Sequence, residues 1–201
     1  MRGDKNARLI QRNTIMRVIA GSARRLKLVA PYGLETRPTQ DIIKETLFNI
    51  IQADVPGSIF LDLCAGSGAI GIEALSRGAK RAYFVENGRE ACSCIQKNLH
   101  TTHFEEEAVL LKQDVLSALR HIHEKEVDII YADPPYEART VHDILRALAD
   151  TGYVTDRTLI IVESSLDTDF SYLEEIGFEL VREKDYKANR HLFIRRAERQ
   201  D

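Results

Sequence analysis

Apolar and polar positions along this chain alternate between two periods. Ile59-Phe60-Leu61-Asp62-Leu63, Arg81-Ala82-Tyr83-Phe84-Val85, Ala108 to Leu111, Val127 to Ala132 and Leu159 to Val162 are short, nearly continuous apolar runs. Such runs predict strands covered on both faces. Between them lie stretches with helical spacing: a helix running through Leu75, then Glu90 to Leu99, Val115 to Ile122 and Val141 to Ala149. Strands alternating with helices predict an α/β fold with a mostly parallel sheet and helices on both faces, because right-handed crossovers build that arrangement. The last stretch differs. Phe178 to Val181 and His191 to Ile194 flank the charged segment Lys184 to Arg190, which reads as a closing antiparallel hairpin and brings the sheet to seven strands.

Ahead of this block the pattern is of another kind. Arg17-Val18-Ile19-Ala20, a Gly21-Ser22 turn signal and Arg25-Leu26-Lys27-Leu28-Val29 predict a small β-hairpin with basic residues on one face. Pro31, Gly33 and Pro38 punctuate a loop. Thr39 is placed to cap a helix with Asp41 in its first turn, and Ile43, Leu47, Ile50 and Ile51 form its apolar stripe. Pro56-Gly57 ends that helix. The chain therefore divides into residues 1–15, a flexible or non-native arm with Met16 as an alternative start; residues 16–56, a hairpin and helix; and residues 57–201, the α/β domain.

Composition changes the picture in three places. With 201 residues, 44% hydrophobic and 29% charged, the chain can bury a full core. It shows neither a membrane-length apolar run nor a secretory signal, so a cytoplasmic protein is expected. Cys64, Cys92 and Cys94 lack the spacing of a zinc site, so idle thiols and no metal are expected. The net charge of −3 hides an asymmetry: residues 1–27 carry Arg2, Lys5, Arg8, Arg12, Arg17, Arg24, Arg25 and Lys27 against Asp4 alone. A basic segment on an acidic body is the footprint of a polyanion-binding surface.

The candidate chemistry lies at the strand ends. Gly66-x-Gly68-x-x-Gly71 follows the first strand and Glu86 ends the second, which fits a dinucleotide fingerprint and hence NAD. Asp62 argues against that reading. A carboxylate inside the strand would repel a pyrophosphate, yet it can sit beside a cationic amino-acid group. After the fourth strand comes Asp133-Pro134-Pro135-Tyr136. Fixed proline backbones would hold carboxylate and carbonyl oxygens beside a flat ring, a grip for a planar amine such as the exocyclic NH2 of a nucleobase. As a bare motif it is also a strand-ending turn. No hydride-transfer machinery follows, and no Pro-Cys pair for attack on a pyrimidine.

Asp62-x-x-x-Gly66-x-Gly68 with Glu86 at the next strand end resembles the S-adenosylmethionine site of class I methyltransferases, which have a Rossmann-like fold. That resemblance implies cofactor contacts at Asp62, Ala65, Gly66, Ser67, Gly68, Glu86, Asn87, Asp114, Val115 and Asp133. Glu86 would hold the ribose hydroxyls and Asp114 the adenine amine. Arg17-Val18-Ile19-Ala20-Gly21, Arg37-Pro38-Thr39, Lys44-Glu45-Thr46-Leu47-Phe48-Asn49-Ile50 and Glu73-Ala74-Leu75-Ser76-Arg77-Gly78-Ala79 carry the likeness further. With them, residues 16–196 are similar to the RsmD family, bacterial enzymes that methylate the N2 amine of a guanine in 16S ribosomal RNA.

The family likeness implies catalysis by Asp133, Pro134, Pro135 and Tyr136. It implies RNA contacts through Arg17, Arg24, Arg25, Lys27, Arg37 and Thr39, a substrate that is 16S RNA, free or within an assembling small subunit, and a monomeric enzyme. The sequence departs from the family pattern at Cys64, where an aromatic residue is common, at Asn87-Gly88, and in the tail Lys187-Ala188-Asn189-Arg190. Methylation of adenine N6 or of a protein glutamine is the alternative within the chemistry, although those families more often carry Asn-Pro-Pro-Tyr. An RNA-binding module without activity and an NAD-dependent oxidoreductase are the alternatives outside it.

Overall fold

The structure, a computed structural model, describes residues 16–31, 38–134 and 138–197. Its elements are α1 (Pro38–Ile50), β1 (Ile59–Leu63), α2 (Ala69–Ser76), β2 (Arg81–Val85), α3 (Arg89–Thr102), β3 (Ala108–Leu111), α4 (Val115–Leu119), β4 (Ile129–Ala132), α5 (Ala138–Ala149), β5 (Leu159–Ser165), β6 (Phe178–Asp185) and β7 (Asn189–Arg196). The strands form one seven-stranded sheet in the order β3-β2-β1-β4-β5-β7-β6. The first five run parallel, and β7 pairs antiparallel with both β5 and β6.

Alternate residues of each parallel strand feed two different cores. Phe60, Ala82, Phe84, Ile129, Tyr131 and Ile161 pack with Ile72 of α2 and Ile95 of α3 on one face. Leu61, Leu63, Tyr83, Val85, Ile130, Ala132 and Ile160 pack with Leu119 of α4 and Leu145 of α5 on the other. A strand covered on both faces has no polar side to show, which is why these runs read as continuously apolar. Among the described residues, no helix is long and apolar enough to cross a membrane.

Residues 16–31 turn back on themselves, as the Gly-Ser signal implies, but the ladder is minimal: one antiparallel bridge joins Arg17 to Lys27. Val18 and Leu28 face inward and Arg17 and Lys27 outward. This segment, α1 and Val55 share one hydrophobic cluster with the α2 face of the sheet. Polar contacts fix the docking. The Glu73 carboxylate of α2, fully buried, accepts from the backbone N–H of Ile19 (2.8 Å) and Ala20 (3.0 Å) and from Arg77 Nε (2.8 Å). Lys44 of α1 brings Nζ within 3.5 Å of the same carboxylate while donating to the Arg17 carbonyl at 2.7 Å. Gly21 sits so close that a Cβ there would lie 1.7 Å from the Ser76 carbonyl oxygen, and its φ of 82° is left-handed. Both facts require glycine.

Three sequence expectations shift. α1 begins at Pro38, so Thr39 lies inside the helix rather than before it; proline's fixed φ and missing N–H suit the first helical position. β4 spans Ile129–Ala132 rather than starting at Val127: the Val127 N–H donates to the Tyr153 carbonyl, outside the sheet, and the Asp128 N–H donates to the Ile59 carbonyl at the very start of β1. The charged segment Lys184 to Arg190 is mostly strand: β6 runs to Asp185 and β7 starts at Asn189, with Tyr186 N–H donating to the Asn189 carbonyl across the turn. Edge strands tolerate such charges because one side stays in water.

Glu73→Ala should destabilise the protein by about 3–5 kcal/mol, since it leaves Lys44 and Arg77 without their buried counter-charge and two backbone amides without an acceptor. Urea unfolding followed by circular dichroism checks this, and a loss under ~1 kcal/mol would contradict the role given to Glu73.

Candidate active site

The strand order reverses between β1 and β4, so their carboxyl ends open a crevice, the place where open α/β sheets bind ligands. The register makes that edge flush. Leu111, Val85, Leu63, Ala132 and Val162 are partners across five adjacent strands. The residues that follow them are Lys112, Glu86, Cys64, Asp133 and Glu163, with Asp62 one position behind Leu63 and Asp114 just beyond β3.

The loop after β1 takes a left-handed path: Cys64, Gly66 and Gly68 have φ of 61°, 55° and 77°. Nothing lies within 4 Å of where a Gly66 Cβ would stand, so open space faces the loop there. Gly71, in the first turn of α2, is constrained on the other side, where a Cβ would meet the Phe84 ring at 2.4 Å. This glycine lets helix and sheet approach closely. Ala65 N–H donates to the Val85 carbonyl, and Gly68 N–H to the Ala65 carbonyl. Ser67 is buried; its hydroxyl contacts Met16 Sδ (3.1 Å) and its carbonyl accepts from Asn98 Nδ2 (2.8 Å).

Each acid has a defined setting. Asp62 is buried and accepts from Gly71 N–H at 2.9 Å through one oxygen. Burial first, then Asp133 and Glu86, push its carboxyl up to about 8 against the effect of that hydrogen bond. Glu86 bridges two loops, accepting from Gly66 N–H (2.9 Å) on one oxygen and Gly88 N–H (2.7 Å) on the other. Asp114 caps α4 by accepting from Ser117 N–H (3.0 Å), and these hydrogen bonds lower its carboxyl. Asn87 is exposed and Val115 half-buried beside these two acids in sequence.

Asp133 follows β4 with Pro134 buried behind it. Its outer side is open to solvent, yet enough protein surrounds the carboxylate for burial, followed by the charge of Glu163, to push it up to about 7. The Cys64 thiol, facing Asp62, Asp133 and Glu86, is pushed up to about 12, mainly by burial, and is not a nucleophile at neutral pH. The charged groups bearing on Asp62, Cys64 and Asp133 are all acids. Among the described residues the β1–β4 crevice is therefore lined by acids, while the lysine of the rim, Lys112, stands at its β3 end with Nζ donating to Gln96 (3.2 Å); this suits a positively charged ligand and opposes a pyrophosphate.

The structure thus brings Asp62, Ala65, Gly66, Ser67, Gly68, Glu86 and Asp133 around the crevice, with Asp114 and Val115 along the same edge. Pro135, Tyr136 and Arg37 lie outside the described residues, as does the side chain of Thr39. Arg24, Arg25 and Lys27 are exposed on the N-terminal turn, and Arg17, also exposed, is 3.4 Å from Asp41. No cluster of three or more His, Cys, Asp or Glu suited to a metal gathers among the described residues.

Sequence reasoning missed two residues here. Asn98 accepts from Val29 N–H and donates to the carbonyls of both Val29 and Ser67, each at 2.8 Å, clamping the N-terminal segment to the glycine loop. Glu163 accepts from Tyr131 Oη (2.7 Å) and lies 3.2 Å from His191 Nε2. The available signal for Glu163 is the one that marks Glu86, a lone acid closing an apolar strand. Asn98, in a polar-rich helix, offers none.

Known proteins resemble this chain in sequence and in fold. Residues 16–195 match the model of the family described as Conserved hypothetical protein 95. The Ribosomal RNA small subunit methyltransferase D of Escherichia coli is 34% identical over 154 residues, 76% of this chain and 76% of that protein. The protein of the same name from Haemophilus influenzae is 34% identical over 154 residues, covering 76% of this chain and 80% of its own. Among solved structures, Escherichia coli yhhF superposes with a TM-score of 0.78 at 34% identity, over 90% of this chain and 97% of its own. A conserved hypothetical protein of Streptococcus pyogenes gives 0.68 at 30% identity, over 75% and 93%. A family model matched across almost the whole chain, with these relatives beside it, makes the chain a member of the RsmD family.

Proposed function

We propose that this protein transfers a methyl group from S-adenosylmethionine to the exocyclic N2 amine of a guanine in 16S ribosomal RNA, acting as a cytoplasmic monomer on RNA that is free or in an assembling small subunit. The observation that carries the reading is the flush row of acids at the carboxyl ends of the strands around the β1–β4 crevice, with Asp133-Pro134 beside the left-handed glycine loop. The names of the relatives support the substrate class.

When bound, S-adenosylmethionine supplies a methyl group on a positively charged sulfur, next to an amino-acid end that carries both an ammonium and a carboxylate. The residues fit such a ligand. Glu86 keeps a second lone pair on each oxygen for the ribose hydroxyls while its first lone pairs hold Gly66 and Gly88. The Asp114 oxygen that does not cap α4 would accept from the adenine amine, with Asn87 and Val115 flanking the nucleoside. Asp62 holds the first turn of α2 in place, and with its carboxyl at about 8 it would be drawn to the ionised form by a positive ligand bound above it.

The lone pair of the guanine N2 amine is delocalised into the ring, which makes it a poor nucleophile. Asp133 and the Pro134 carbonyl would accept its two hydrogens and draw the nitrogen towards tetrahedral geometry. Rate comes from placing two bound reactants in line and from acceptors fixed where positive charge develops. Pro135 would stiffen the loop and Tyr136 would stack on a base turned out of its helix. Arg17, Arg24, Arg25, Lys27, Arg37 and Thr39 would meet the RNA backbone.

Binding and chemistry should separate by mutation. Glu86→Ala should weaken S-adenosylmethionine binding by roughly 1.5–3 kcal/mol in calorimetry. Asp133→Ala should leave that affinity within a few-fold while abolishing transfer of labelled methyl to 16S RNA. NAD binding with no S-adenosyl ligand bound, or near-normal single-turnover transfer by Asp133→Ala, would contradict the reading.

The RNA surface has its own test. Arg24 and Arg25 project from the exposed turn, whereas the segment reaches the glycine loop through Met16 and Val29. Reversing both arginines to glutamate should weaken RNA binding and flatten its salt dependence by about one or two phosphates' worth, with cofactor affinity unchanged. Unaltered RNA affinity and salt slope would move the contacts elsewhere.

A further inference from the structure

Glu163 is a carboxylate the proposed reaction does not yet use. It is the one acid of β5, a strand otherwise of apolar and serine residues. Taking a carboxylate out of water is costly unless donors replace the lost hydration. Here they do. Tyr131 Oη donates to Oε2 at 2.7 Å, Asn189 Nδ2 donates to Oε1, and His191 Nε2 lies 3.2 Å from Oε2. Because a carboxylate only accepts, His191 carries its proton on Nε2, leaving Nδ1 for the Tyr186 hydroxyl at 3.2 Å. The ring of His191 is fully buried and meets both Tyr131 and Tyr186 edge to face. Burial pushes Glu163 up, but the bonds from His191, Tyr131 and Asn189 outweigh it and hold the group below its ordinary value. Three side chains, one from β4 and two from β7, therefore keep one carboxylate ionised and still.

The register shows where that charge acts. Ala132 of β4 pairs with Val162 of β5, so Asp133 and Glu163 come next on adjacent parallel strands. Glu163 also pairs with His191 across β5 and β7. We propose that Glu163 is a positioning residue for the methyl transfer: pinned as a carboxylate by Tyr131, His191 and Asn189, it makes the neighbouring Asp133 a strong acceptor for the proton that the amine must release. This rests on the function proposed above. As the amine nitrogen bonds to the methyl carbon, the carbon–sulfur bond breaks with its electron pair going to sulfur, and one N–H proton passes to Asp133. The open side of Asp133 then returns that proton to water.

An unperturbed aspartate, near pKa ~3.9, is a weak acceptor for this proton. Asp133, pushed up to about 7 by burial and then by Glu163, is matched to neutral pH. The sign follows directly. Above about pH 7 Asp133 is ionised and can accept; below it the group carries a proton, and transfer should fall. Among the described residues, the titratable groups facing this pair are Asp62 of β1, Cys64 after it, Tyr131 of β4, His191 of β7 and Tyr186 of the β6–β7 turn. Of these, Asp62 and Cys64 are themselves pushed up, and Tyr131 well up, chiefly by burial. Asp62, pushed up to about 8, titrates just above Asp133, so a residue-resolved carboxyl signal is what assigns a step near pH 7 to Asp133.

Two readouts decide the matter. In ligand-free protein, carboxyl-carbon NMR should show Asp133 titrating near pH 7, and roughly one pH unit lower in Glu163→Gln. Glu163→Asp, which keeps the charge, should stay close to the wild type. In single-turnover transfer to 16S RNA, the acid limb of the pH profile should move with the same pattern. An Asp133 that titrates below about pH 5 in the wild type, or identical titrations in the wild type and Glu163→Gln, would overturn the proposal. Equal displacement by Glu163→Asp and Glu163→Gln would overturn it too, since shape rather than charge would then be responsible. If Glu163→Gln fails to fold, Glu163→Ala takes its place: it removes the same charge, and Asp133 should again titrate lower than in the wild type, an unchanged Asp133 overturning the proposal. A wild type that binds no S-adenosyl ligand and transfers no methyl would sink the proposed function instead, and the NMR titration would stand apart from that result.

Discussion

One constraint organises the chemistry of this protein: the parallel register that ends five strands in a single row. Leu111, Val85, Leu63, Ala132 and Val162 are paired neighbours, so the next residue of each strand emerges on the same rim. A one-residue slip of β4 would turn Asp133 to the α4–α5 face and bury the wrong half of the strand, which is why the two-sided core fixes the site as firmly as it fixes the fold. The same rim gathers acids around the β1–β4 crevice, at a cost to folding that a bound positive ligand would relieve. Fold and ligand preference thus have one cause.

A second constraint joins the N-terminal segment to this rim. Glu73 holds Ile19, Ala20, Lys44 and Arg77 from the middle of α2, the helix whose first turn Asp62 holds through Gly71. Asn98 ties Val29 to Ser67 in the same way. The basic turn at Arg24 and Arg25 is thereby fixed relative to the glycine loop. In the proposed function this fixes the distance between RNA backbone and methyl donor.

How much of this was legible in the sequence depends on the range of the interaction. β1, β2 and β3 fall on the residues the pattern marks, because burial on both faces writes itself into consecutive residues such as Ile59-Phe60-Leu61. Asp62 and Glu86 stood out as acids in or after such runs, and the glycine spacing placed the loop. Yet the sequence could not say that Glu86 bridges Gly66 and Gly88 or that Asp114 caps α4. Glu73, Asn98 and Glu163 acquire their roles chiefly from partners distant in the sequence, such as Ile19 for Glu73, Val29 for Asn98 and Tyr131 for Glu163, and no local pattern encodes those. The β6–β7 hairpin was found but its turn was drawn too long, since charged residues such as Lys184 and Asp185 stay in strand when one side faces water.

The central claim is that this chain methylates the N2 amine of a guanine in 16S ribosomal RNA. Its most direct test is mass mapping of modified nucleosides in 16S RNA from cells with and without the gene for this protein. The account predicts one N2-methylguanosine lost in the deletion and restored by the wild-type gene but not by Asp133→Ala. An unchanged set of guanine modifications, or the loss of an N6-methyladenosine instead, would contradict it.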